Sequence, residues 1–126
     1  MENLVVLKYG GTSVADENKI KKIAEYIKNL HQSGKQILIV ISAMGKFTDD
    51  LLDIAHNIST KPLKRELDII LTTGERISMA LLSIALNDLG IPAISFTGSQ
   101  AGIITDCAHT KAKIVDIKPF RLVQEI

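Results

Sequence analysis

The segment Lys8-Tyr9-Gly10-Gly11-Thr12-Ser13 places a lysine, two glycines and two hydroxyls side by side directly after an apolar run. Those residue types suit a phosphate. Glycines let backbone N–H groups approach an anion closely, a following helix N-terminus carries about half a positive charge, and Lys8 adds a mobile cation. The spacing fits neither the P-loop, whose lysine follows its glycines, nor the dinucleotide pattern GxGxxG. A tight strand-to-helix turn capped by Ser13 explains the glycines as well. Lys8 tips the balance toward an anion site, since a lysine closing an apolar strand is a poor core residue unless its ammonium has a partner.

Other polar groups have a structural reading beside the chemical one. Thr72-x-x-Glu75 has the spacing of a helix capping box, in which Glu75 reaches back to the Thr72 N–H. Thr48 stands where an N-cap would precede Leu51. Asp106 and His109 are too few to make a metal site and are assigned to loop hydrogen bonding. His31 and His56 fall on solvent faces of helical patterns, Cys107 has no neighbouring motif, and none of the three receives a catalytic role.

These groups need elements to hold them. Leu4 to Leu7 reads as a strand buried on both faces, and Gln36 to Ser42, around Ile37-Leu38-Ile39-Val40-Ile41, as a second. Between them Ile20, Ile23, Ala24, Ile27 and Leu30 recur at helical spacing from Asp16 until Gly34 stops the pattern. Strand, helix and strand in that order make a βαβ unit with parallel strands. Leu51, Leu52, Ile54, Ala55 and Ile58 predict a second helix, Thr60 to Pro62 interrupt it, and a further helical stretch begins near Leu63. Gly74 marks a joint within that stretch, and Gly90 with Pro92 end it. Ala93 to Phe96 predicts a third sheet strand, Gly98 and Gly102 flank a polar loop, Lys113 to Ile117 alternates as a strand, and Pro119 opens a final helix of about two turns.

The chain has 126 residues, 46% hydrophobic and 23% charged, an ordinary globular mix with room for one core. A formal net charge of +1 gives no field to attract a polyanion, so nucleic acid and acidic membrane surfaces are unfavoured partners. A single cysteine excludes an internal disulfide framework and fits a reducing, cytoplasmic compartment. The start, with Glu2 before Leu4-Val5-Val6-Leu7, lacks a secretion signal. The longest apolar stretches, Ile37 to Ile41 and Met79 to Leu86, fall short of the ~20 residues of a membrane span. No internal repeat or linker marks a second module.

KYGGTSV (Lys8 to Val14) resembles the opening signature of aspartate kinases in the amino-acid kinase family. The resemblance continues through SAMGKFTDD (Ser42 to Asp50), TTGERIS (Thr72 to Ser78) and SQAGIITDCAH (Ser99 to His109). It implies an α/β fold, a three-layer αβα sandwich with a mainly parallel sheet. It also implies transfer of the ATP γ-phosphoryl group to the β-carboxylate of L-aspartate, at the start of lysine, threonine and methionine biosynthesis, with Mg²⁺ accompanying ATP. By resemblance Lys8, Tyr9, Gly10 and Gly11 form the ATP phosphate-binding segment, with Lys8 stabilising the phosphoryl group in flight. Ser13, Thr48 and Glu75 belong to the substrate side, and Glu75 matches the acidic residue that binds the aspartate amino group. No residue of this chain is named as a metal ligand. Phe47 departs from the small or polar residue common at its position.

Members of that family continue through a GRGGSD block, a nucleotide-base segment and regulatory ACT domains, which have no counterpart in this sequence. The expectation is therefore an N-terminal portion of the kinase domain, residues 1–126, truncated in mid-fold and inactive by itself. An exposed sheet edge prone to self-association is expected with it. The competing reading is a non-catalytic small-ligand or subunit-association module that keeps the fold.

Overall fold

The structure, a computed structural model, describes residues 3–126; Met1 and Glu2, on which part of the leader reading rests, lie outside the described residues. Strands β1 (Leu4–Tyr9) and β2 (Gln36–Ile41) pair in parallel, with Leu4 opposite Gln36 and Tyr9 opposite Ile41. Helix α1 (Glu17–Gln32) connects them. Asp16 caps it by accepting the Lys19 N–H at 2.9 Å, and Gly34, at φ +81°, provides the left-handed residue on which the chain turns back toward β2. The βαβ unit read from the sequence is therefore present.

The alternation of side chains across the strands decides where the core lies. Leu7, Tyr9, Ile37, Ile39 and Ile41 pack against Ile20, Ile23, Ala24 and Ile27 of α1, with Val14, Leu82, Leu86 and Ile91 completing the cluster. The other face carries Val6 and Val40, 59% and 51% exposed, and the exposed Lys8. The expectation of a first strand buried on both faces is thus corrected: its continuous apolar run is covered on one side by helices of the described residues.

Helix α2 (Phe47–Ile58) and helix α3 (Lys64–Asp88) follow. Two expectations change here. Gly74 is no joint, because α3 runs unbroken through it. Thr72 and Glu75 form no capping box, because both sit in mid-helix, where the Thr72 hydroxyl donates to the Ile69 carbonyl at 3.0 Å. Helix α3 also has the length and apolar composition of a membrane span, although its longest apolar stretch, Met79 to Leu86, is short. Gly74, Ser78, Leu82 and Leu86 form its buried stripe, and it packs on α1 and α2 as a core helix does.

Ala93 to Phe96 joins no ladder among the described residues. The Asn87 side chain occupies the Ala93 backbone instead, donating to its carbonyl at 2.9 Å and accepting its N–H at 3.4 Å. Gly98 to Gly102 forms a turn as expected, and it leads into a short strand that was not expected, β3 (Ile103–Thr105), paired antiparallel with β4 (Ile114–Ile117) as a separate hairpin. Helix α4 (Phe120–Glu125) closes the chain. The Arg121 guanidinium lies 4.7 Å over the Phe96 ring, and the Gln36 side-chain amide donates to the Ile126 carbonyl. The α/β class holds, with a parallel pair under a layer of helices and an antiparallel hairpin beside it; the second helical layer of a full sandwich is not seen among the described residues.

Candidate functional site

Ligand sites of open α/β sheets lie at the carboxyl ends of parallel strands, and both such ends here lead into glycine-containing turns. After β1, a 3₁₀ turn (Gly11–Val14) begins at Gly10, whose carbonyl accepts the Ser13 N–H at 3.0 Å. The N–H groups of Gly10 and Gly11 find no acceptor among the described residues. A Cβ added at Gly10 would meet nothing within 4 Å, so its backbone faces open space. Gly11 differs. A Cβ there would stand 3.0 Å from the Ala43 carbonyl oxygen, and its own carbonyl accepts the Gly45 N–H at 3.1 Å, so the turn after β1 is stitched to the turn after β2.

Ala43 also touches the third segment. A Cβ at Gly74 of α3 would lie 3.1 Å from the Ala43 Cβ and 2.8 Å from the Thr48 Oγ1. Gly74 therefore lets α3 press against the start of α2 and the turn after β2. The KYGG turn, the SAMG turn and the TTGE segment of α3, distant in sequence, converge around one alanine. Sequence reading did not single out Ala43; its signal is a small residue inside one of two glycine-containing turns that must approach each other.

The individual side chains sort as follows. Lys8 is exposed on the open face of the sheet, so the local argument from a buried ammonium does not apply, and it enters no ion pair among the described residues. Tyr9 points the opposite way, as its neighbour in a strand must, and its ring packs on the core. Burial, with a smaller contribution from Tyr26, pushes the Tyr9 phenol above its ordinary value. Its main chain holds the turn through its carbonyl, which accepts the Ser42 N–H at 3.0 Å. Ser13 is exposed and caps nothing: the cap of α1 is Asp16. Thr48 is not an N-cap either, because α2 already begins at Phe47; its Oγ1 is buried without a hydrogen-bond partner. Glu75 is exposed, one residue beyond the Gly74 contact. Phe47 contributes an edge, its Cδ1 standing 3.6 Å from the position of a Gly74 Cβ, and so lines the α2–α3 contact.

The match to known proteins covers this whole arrangement. The model of the amino acid kinase family fits residues 3–122. The chain belongs to the amino acid kinase family. Among its relatives, the aspartokinase of Mycolicibacterium smegmatis is 54% identical over 119 residues, covering 94% of this chain and 28% of that protein. The aspartate kinase Ask_LysC of Stutzerimonas stutzeri is 46% identical over 123 residues, covering 98% of this chain and 30% of that protein. The crystal structure of the aspartate kinase from Synechocystis superposes with a TM-score of 0.75 at 51% identity, over 79% of this chain and 17% of that one. The chain thus spans under a third of the length of the curated relatives it matches. In this amino acid kinase chain Asp106 makes the loop hydrogen bonds expected of it, accepting the N–H groups of Ala108 at 3.1 Å and Lys113 at 3.2 Å, whereas His109 leaves the loop and lies 2.8 Å from a carboxylate on α3. The partner of that contact, Asp68 of α3, was not found from the sequence. Its position seven residues before Glu75, on the same helix face, is the signal that was available.

Proposed function

We propose that this chain is the acceptor-side portion of an aspartate kinase, an N-terminal part of a kinase domain that transfers the γ-phosphoryl group of ATP to the β-carboxylate of L-aspartate. The observation that carries the reading is the convergence of the Lys8 to Gly11 turn, the Ser42 to Gly45 turn and the Thr48–Gly74 contact, next to which Glu75 stands exposed, at one end of the parallel strands. In this reading the backbone N–H groups of Gly10 and Gly11 receive phosphate oxygens and the Lys8 ammonium neutralises the charge that builds on the group in transfer. Tyr9 acts through its anchored ring and carbonyl, which fix the turn. The Glu75 carboxylate takes the substrate ammonium, and the free Thr48 hydroxyl and Ser13 hydrogen-bond the acceptor. A carboxylate is already a nucleophilic anion, so the chemistry needs positioning and charge stabilisation more than a general base. An acceptor oxygen bonds to phosphorus as the bond to the ADP oxygen breaks.

The residues present suit the phosphates of ATP, because Gly10 leaves open space and two unclaimed donors beside Lys8. When bound, ATP with its Mg²⁺ supplies the phosphoryl group and a share of the charge neutralisation. No residue of this chain is proposed as a metal ligand. The bacterial relatives support a cytoplasmic enzyme of lysine, threonine and methionine synthesis.

The test is a phosphotransfer assay with ATP and L-aspartate, run on this chain alone and on the chain supplied with the remainder of a kinase domain. Alone, the chain gives no appreciable turnover, because it lacks a GRGGSD-like arginine to neutralise the substrate carboxylate. With the remainder supplied, activity appears, and Lys8→Ala lowers it by about 10²–10³-fold. Failure of the supplemented chain to phosphorylate aspartate would sink the assignment.

A further inference from the structure

The hairpin β3–β4 is attached to the body of the protein in a particular way. Its strand residues are exposed throughout, and it shares no ladder with β1 and β2. At its base the Lys118 N–H donates to the Gly102 carbonyl at 2.8 Å, closing the hairpin on itself. At its tip it meets α3 through one carboxylate. Asp68 Oδ2 lies 2.8 Å from His109 Nδ1, and Asp68 Oδ1 accepts the Thr110 N–H at 3.1 Å. Thr110 is the one non-glycine residue with positive φ among those described, at +66°. A β-branched residue held in that region is unusual and persists where its surroundings hold it.

We propose that Asp68 is a positioning residue that ties the hairpin tip to α3 and so makes the hairpin a wall of the acceptor site. The inference deepens the aspartate kinase reading and rests on it. Asp68, Thr72 and Glu75 recur at helical spacing, so they share one face of α3, and seven residues place the tie about 10 Å along the helix from Glu75. The tie joins a helix whose Leu82 and Leu86 pack in the core to a hairpin tip whose other hydrogen bonds among the described residues are internal to it. Cutting it frees the hairpin without unpacking the cluster around Ile27 and Leu82.

The test uses the chain supplied with the remainder of a kinase domain, so that the substrate carboxylate is neutralised, with two readouts: amide hydrogen exchange, and L-aspartate binding followed by backbone chemical shifts of this chain. Asp68→Ala is expected to speed exchange at the Thr110 and Asp106 amides about tenfold or more while Leu7 in β1 keeps its wild-type rate. It is also expected to weaken L-aspartate binding about fivefold or more, with Asp68→Asn, which keeps an acceptor for the Thr110 N–H, recovering part of both. Unchanged exchange in Asp68→Ala overturns the proposal, and so does faster exchange with unchanged aspartate affinity; either leaves the kinase reading standing. A wild-type chain that shows no shift with L-aspartate when the remainder is supplied overturns the acceptor-site reading, and the positioning role with it, whatever the exchange rates.

Discussion

Thr48 and Tyr9 carry the clearest conflicts between local stability and placement. A buried hydroxyl with no partner costs about 1–3 kcal/mol relative to one that is satisfied, and the Thr48 Oγ1 is in that state against Gly74. Thr48→Val keeps the shape and removes the unpaired oxygen. It is expected to raise the urea midpoint, by about 1 kcal/mol of stability, while weakening L-aspartate binding. A variant less stable than wild type would show that the hydroxyl is satisfied in the protein. Tyr9 gives a pH dependence of definite sign. Because burial first and Tyr26 second raise its folded-state value, the unfolded phenol loses its proton before the folded one does. The stability Tyr9 contributes is complete below its ordinary value of 10.0 and is lost as pH climbs through the raised one. Tyr9→Phe should therefore flatten the alkaline loss of stability, read as the change in urea midpoint between about pH 8 and pH 11, and equal losses in the two proteins would contradict it.

At the scale of elements, α3 depends on a single missing methyl. Gly74→Ala places a Cβ 2.8 Å from the Thr48 Oγ1 and 3.1 Å from the Ala43 Cβ, forcing α3 away from the start of α2. The cost is expected at about 1–3 kcal/mol, despite alanine's better helix propensity, whereas Gly10→Ala, with open space around it, should fold normally. Chemical denaturation of the two variants side by side checks this, and a Gly74→Ala variant as stable as wild type would remove the close contact from the account. The same glycine shows what the sequence could convey. Apolar periodicity revealed β1, α1, β2, α2 and the body of α3, because each buries a stripe that repeats at its own period. Gly74 read as a joint because a glycine's local signal is the same whether it bends a helix or lets two helices touch. Ala93 to Phe96 has the apolar content of a strand, but content does not say whether a neighbour completes the ladder, and the Asn87 side chain takes its backbone here. Strand β3 was hidden because three residues give too short an alternation to read. For the candidate site, local chemistry pointed to the Lys8 to Ser13 turn, whereas the meeting at Ala43 and the Asp68 tie are tertiary events with no local pattern.

The whole molecule presents apolar surface on more than one side. Val6 and Val40 face outward from the sheet; Ile69, Ile77, Leu81 and Ile84 lie exposed along α3; Ile114, Val115 and Ile117 line the hairpin. Scattered exposed residues of this kind are ordinary, but rows of them on a strand pair and along one helix are the surfaces through which proteins associate. A net charge of +1 offers little repulsion to oppose contact. The relatives matched are more than three times as long, and these 126 residues alone in solution meet only copies of themselves. Reversible self-association is the expected outcome, with the sheet face and α3 as the contact regions. Sedimentation over a range of concentrations reads it directly: the weight-average mass should climb with concentration, and replacing Val6 and Val40 by threonine, or Ile77 and Ile84 by glutamate, should lower it. A monomeric mass held at the highest concentration would mean that these rows are tolerated in water as they stand, and the expectation would fall.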